Sequence, residues 1–93
     1  MVKTVEKNPK IVFRKIGDET ILVPVQSRVA DFENIFALNE TAARIWELID
    51  GSRRTGDIAN EVSEEFEVSL NQAKIDVSEF IQTLLNNKAV TAK

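Results

Sequence analysis

The side chains that do chemistry near neutral pH are sparse in this sequence. It has no histidine and no cysteine. That removes the usual general base, the usual zinc ligands, thiolate nucleophiles and disulfide staples. The densest group of carboxylates is Glu61, Glu64, Glu65 and Glu67. Two carboxylates can divide acid and base roles, but on a helix this spacing reads as a solvated face. The serines, Ser27, Ser52, Ser63, Ser69 and Ser78, fall where turns, caps and helix surfaces are expected, without a partnered lysine or carboxylate in a pocket. Three glycines in the whole chain leave no phosphate-cradling loop. No catalytic residue, metal site or cofactor is expected, and the remaining function class is binding.

Charge narrows the class of partner. The net charge is −3 over 93 residues. Residues 1–54 hold 9 basic and 8 acidic side chains, whereas residues 55–93 hold 3 basic and 7 acidic. The acidic half carries most of the helical pattern, which opposes a polyanion there, because nucleic-acid affinity is dominated by phosphate neutralisation. No apolar run approaches the roughly 20 residues that span a bilayer, and the first ten residues lack the apolar segment of a secretory signal. The chain is therefore expected to be cytoplasmic, with no nucleic acid and no membrane among its partners.

The elements that must position a binding surface are legible in the periodicities. Residues 1–10 are polar and end in Asn8-Pro9, which predicts a flexible N-terminal arm before a single domain over 11–93. Two β-rich runs, 11–16 and 19–25, flank Gly17-Asp18 and read as a hairpin. Residues 26–33 read as a loop, and Asn34 to Leu38 as a third strand. Three helices follow. The first shows Ala42, Ile45, Trp46 and Ile49 on one face, with Asn39 as its cap, a Glu40–Arg44 pair one turn apart, and Gly51 as its stop. The second has Thr55 as its cap and a stripe of Ile58, Ala59, Val62 and Phe66. The third opens on a Ser69–Gln72 capping box. It carries a stripe of Leu70, Ala73, Val77, Phe80, Ile81, Leu84 and Leu85, and ends at Asn86-Asn87. A last short strand or tail covers 89–92. The fold class is thus α+β: three N-terminal β-strands followed by three α-helices, a small winged helix-turn-helix-like arrangement.

Two stretches carry a resemblance. FALNETAARIWELIDGSRRTGDIANEV and EEFEVSLNQAKIDVSEFIQTLLNNKAV resemble the PqqD-like family in the ordered combination of LNETA, IW, L and DG. The turn with a basic residue before Thr55 and the Asp76-Val77-Phe80-Leu84 helix complete it. The chain departs near Ala89, where a glycine is usual. The resemblance implies a peptide-binding chaperone, or RiPP recognition element. Such a module holds the leader segment of a ribosomal precursor peptide and presents it to a modifying enzyme, often a radical SAM protein, in pyrroloquinoline quinone or related peptide biosynthesis. It also implies a leader site beside the third strand and against the third helix.

On that implication the expected peptide-binding residues are Asn34, Ile35, Phe36, Ala37 and Leu38 on the strand, with Asn71, Lys74, Ile75, Ser78 and Gln82 on the helix. The physical reading beside it is that an open sheet edge accepts an extended peptide as another strand. Ile75 lies off the core arc of the third helix, among Asn71, Ser78 and Gln82, and Lys74 could meet an acidic leader side chain. Trp46 lies in the core stripe. Two other readings stay open: a winged-helix DNA-binding protein using Arg53, Arg54 and the polar face of the third helix, and a dimerising scaffold protein, monomer or homodimer in its free state.

Overall fold

A computed structural model describes residues 3–24 and 36–93. The element order is β1 (Val5–Lys7), β2 (Ile11–Ile16), β3 (Glu19–Pro24), β4 (Phe36–Leu38), α1 (Glu40–Leu48), α2 (Thr55–Glu65), α3 (Leu70–Asn86) and β5 (Val90–Ala92). The α+β class holds, with strands first and helices after, and the last short strand forms as β5.

The additional strand β1 is the main correction. Residues 5–7 were expected in a flexible arm and instead form β1, antiparallel to β5 with Val5 opposite Ala92 and Lys7 opposite Val90. Val5 and Val90 are each 1% exposed. The flanking backbone is equally tied down. The Thr55 N–H donates to the Lys3 carbonyl at 2.7 Å, the Lys93 N–H to Thr4 at 3.0 Å and the Asn8 N–H to Ala89 at 2.9 Å. The polar character of residues 3–8 misled because only one side chain of the strand, Val5, enters the core, while the pairing satisfies the backbone.

β2, β3 and β4 form the second sheet in that order, both pairs antiparallel. Gly17 takes φ +60 at the first central position of the two-residue turn, where a type II′ hairpin needs glycine. Pro24 closes β3, as its missing N–H demands. The described part of the expected third strand is β4: Phe36 pairs with Leu22, Ala37 with Ile21 and Leu38 with Thr20. Asn34, Ile35 and the expected loop over 26–33 lie outside the described residues.

The helices begin and end on recognisable signals. Asn39 caps α1, its Oδ1 accepting the Ala42 N–H at 2.8 Å, and α1 stops at Leu48 before Gly51 at φ +81. Ser69 caps α3 through the Gln72 N–H at 3.1 Å. The Gln72 side chain does not complete a capping box; it reaches forward to Asp76 Oδ1 at 2.9 Å. Thr55 is the first residue of α2 rather than its cap. The cap is Arg54, whose N–H donates to Asp57 Oδ2 at 3.4 Å.

The core is built by the helices and the β1–β5 pair. Ile45, Trp46, Leu48 and Ile49 of the α1 region meet Ile58, Ala59 and Val62 of α2 and Ala73, Val77, Ile81 and Leu84 of α3. The predicted stripes hold except at Leu70, which is 40% exposed at the first position of α3. Trp46 is 3% exposed, and Lys7 Nζ lies 5.0 Å from its ring centroid. Burial there lowers the Lys7 pKa below the usual lysine range, against the opposing pull of Glu47 and Asp50. Arg44 is not paired with Glu40. It forks onto Glu65 at 2.8 and 2.9 Å and reaches Glu47 at 3.1 Å, so part of the expected acidic face is a clasp between α1 and α2. That fork holds the Glu65 carboxyl below the usual range.

Two stability outcomes follow. Val5→Ala should lower unfolding free energy by about 2 kcal/mol, with an unchanged urea m-value, because it removes two buried methyl groups. Truncation of a mere flexible arm residue would change nothing. α3 ends in a Schellman-type cap, with the Ala89 N–H on the Leu84 carbonyl at 2.9 Å and the Lys88 N–H on Leu85 at 3.1 Å. Lys88 occupies the left-handed position at φ +58. Lys88→Gly should stabilise by about 1 kcal/mol in the same assay, since glycine takes this conformation without strain.

Candidate functional site

The order β2-β3-β4 leaves one side of β4 without a strand neighbour among the described residues. Such an edge presents backbone N–H and C=O groups that can pair with another extended chain. Asn39 sits at its end with φ −75 and ψ 176. It carries the extended direction of β4 into α1 and fixes the first turn of that helix beside the edge.

A cleft of about 360 Å³ opens at this junction, between the start of α1 and the middle of α3. From α1 it is lined by Thr41, Ala42 and Ile45, with Asn39 at the strand end. From α3 it is lined by Asp76, Glu79, Phe80 and Thr83. These four stand at i, i+3, i+4 and i+7, one strip of a helix. Ile45 is 1% exposed and Phe80 packs partly buried on the core, so the floor is apolar and held by the core itself. The rim is polar. Asp76 accepts from Gln72, and the Thr83 hydroxyl donates to the Glu79 carbonyl at 3.0 Å. The arrangement can hold an extended segment by main-chain pairing on β4 and by side chains in the cleft. Among the described residues no group of histidines, cysteines or carboxylates is placed to hold a metal ion.

The expected site residues separate in space. Phe36 and Ala37 lie on β4, Ala37 exposed, and Leu38 is half-buried against the core, lining a separate hollow with Phe13, Thr20, Arg44 and Phe66. On α3, Asn71, Ile75 and Gln82 are exposed and Ser78 is half-buried, and none lines the cleft. Ile75 is 51% exposed, the most exposed large apolar residue described. Gln82 donates to Asn86 Oδ1 at 3.0 Å. Lys74 lines a different hollow, with Lys3, Arg54 and Leu70 at the start of α2. The face of α3 beside α1 lies roughly a third of a turn from the face singled out by the isolated isoleucine. The strip of Asp76, Glu79, Phe80 and Thr83 borders the core arc. Its signal was Phe80, the one large stripe residue flanked by carboxylates at both preceding positions of the same strip.

Two solved structures share the fold closely. One is described as TbiB1 in complex with the TbiA(beta) leader peptide, with a TM-score of 0.74, 23% identity and coverage of 95% of this chain and 96% of that one. The other is a lasso peptide synthetase B1 complexed with the leader peptide, with a TM-score of 0.76, 21% identity and coverage of 94% and 96%. At these identities the likeness is one of fold. No match is found among curated proteins. The family of coenzyme PQQ synthesis protein D (PqqD) matches residues 19–90 of the 93, from β3 through α3 to the start of β5, and the protein belongs to that family.

Proposed function

We propose that the protein binds the leader segment of a ribosomally made precursor peptide and presents it to a modifying enzyme. The observation that carries this is the pairing-competent edge of β4, which runs through Asn39 into the cleft between α1 and α3. Membership of the PqqD family supports it, as does the fact that both similar folds were solved with leader peptides. The leader adds to β4 at Phe36, Ala37 and Leu38, with main-chain bonds supplying affinity, and its side chains enter the cleft and supply selection. The protein itself does no chemistry on the peptide, consistent with a chain devoid of histidine and cysteine. The reaction belongs to the partner enzyme, of which a radical SAM protein is the proposed kind. The setting is the cytoplasm; no helix among the described residues is long and apolar enough to cross a membrane.

A second path over α3 is favoured by one observation. The outer face of Asn71, Ile75, Ser78 and Gln82, with Lys74 at its margin, offers the most exposed apolar anchor described, Ile75. The cleft is preferred because its floor is set by the core and because Asn39, the residue after β4, lines it. DNA binding is disfavoured by Arg53, whose guanidinium lies 3.6 Å from Asp50 and 3.4 Å from the Leu48 carbonyl.

Calorimetric titration with a synthetic leader peptide that the wild type binds decides between the paths. Thr83→Trp, which fills the cleft from an exposed position, should weaken binding at least about tenfold, or about 1.4 kcal/mol. Ile75→Glu should leave it within about twofold, and circular dichroism should show both variants folded. The reverse pattern moves the leader to the outer face. Unchanged affinity in both removes α3 from the site.

A further inference from the structure

The charge of the cleft specifies more of its ligand than the strand edge does. Two of the side chains lining it are carboxylates, Asp76 and Glu79, and no lysine or arginine lines it. They stand three residues apart on α3, so both project over the same strip of the helix, N-terminal to the Phe80 contact. The Glu79 carboxylate makes no hydrogen bond or ion pair among the described residues, and that of Asp76 has a single bond, from the Gln72 amide. Asp76 is already half-buried. A peptide laid across this strip displaces water from both groups, and desolvated carboxylates without a counter-charge are costly.

Among the described residues no lysine or arginine lining the cleft supplies that counter-charge. The Thr83 hydroxyl is committed to a main-chain carbonyl. Facing the pair from α1 is the partial positive charge of a helix N-terminus, but the Asn39 side chain already takes the Ala42 N–H there, and Glu40 adds an exposed negative charge. Lys74, the nearest cation in sequence to Asp76, lines the separate hollow at the start of α2.

We infer that the peptide segment seated in this cleft brings a lysine or arginine to lie between Asp76 and Glu79, beside an apolar residue resting on Phe80. This rests on the leader-binding reading above and adds the chemistry of the segment: cationic and apolar side by side, not acidic.

The test needs no knowledge of the natural leader. A phage-displayed library of random peptides is selected on the intact protein. Enriched peptides are then titrated against the wild type, the Asp76→Asn/Glu79→Gln double variant and Thr83→Trp. The inference expects a basic residue next to an apolar one in the enriched set. It also expects affinity that falls at least about tenfold in the double variant and declines with added salt. Enriched peptides that lack a basic residue, or that bind the double variant as well as the wild type while losing Thr83→Trp, overturn the inference and leave the cleft reading intact. Peptides indifferent to all the variants, or no enrichment at all, overturn both.

Discussion

The antiparallel pairing of β1 with β5 closes the described chain on itself, and the helices are arranged around it. Val5 and Val90 enter the core from the two strands. The backbone before β1 bonds to Thr55 at the start of α2, and the Lys93 ammonium reaches the Gly51 carbonyl at 2.7 Å in the α1–α2 turn. One short ladder thereby fixes where α1 ends, where α2 begins and where α3 hands over to the last strand. A strand of this length contributes little by itself. Its effect comes from joining segments more than eighty residues apart in sequence around a shared apolar core.

With the core anchored there, the β2-β3-β4 sheet is left for another role. Leu22 is the only residue of these three strands that is fully buried among the side chains described. The sheet is held at its β4 end, where Leu38 packs on the core and Asn39 starts α1. The edge of β4 and the cleft beside it are therefore set by the rigid helical unit, while their outward groups stay free for a ligand. Preorganisation of this kind lowers the ordering cost of capturing an extended peptide.

Much of this was legible in the residues. The core stripes of α1, α2 and α3 follow helical periodicity and are buried as expected, and the caps at Asn39 and Ser69 behave as their side chains dictate. The β1 strand was not legible, because a three-residue strand with one buried valine has no periodicity to display and its partner lies far away in sequence. Arg44 shows a similar limit. Local spacing pointed to Glu40, whereas tertiary packing brought Glu65 from another helix. The site was half legible. The open edge at β4 follows from strand order, and its neighbourhood to α3 from family resemblance. Which strip of α3 faces the cleft depends on the packing of α1 against α3, which local spacing does not show; the apolar residue outside the core arc is Ile75, whereas the proposed cleft is lined by Asp76, Glu79 and Thr83.

Pairing of an extended peptide with β4 is read out by amide hydrogen exchange with and without a bound leader peptide. The leader should slow exchange in β4, at residues 36–38, and perturb the start of α1 and the 76–83 stretch of α3, with the α2 amides unchanged. Protection confined to the start of α2 or to the outer face of α3, with β4 amides exchanging as in the free protein, would contradict it.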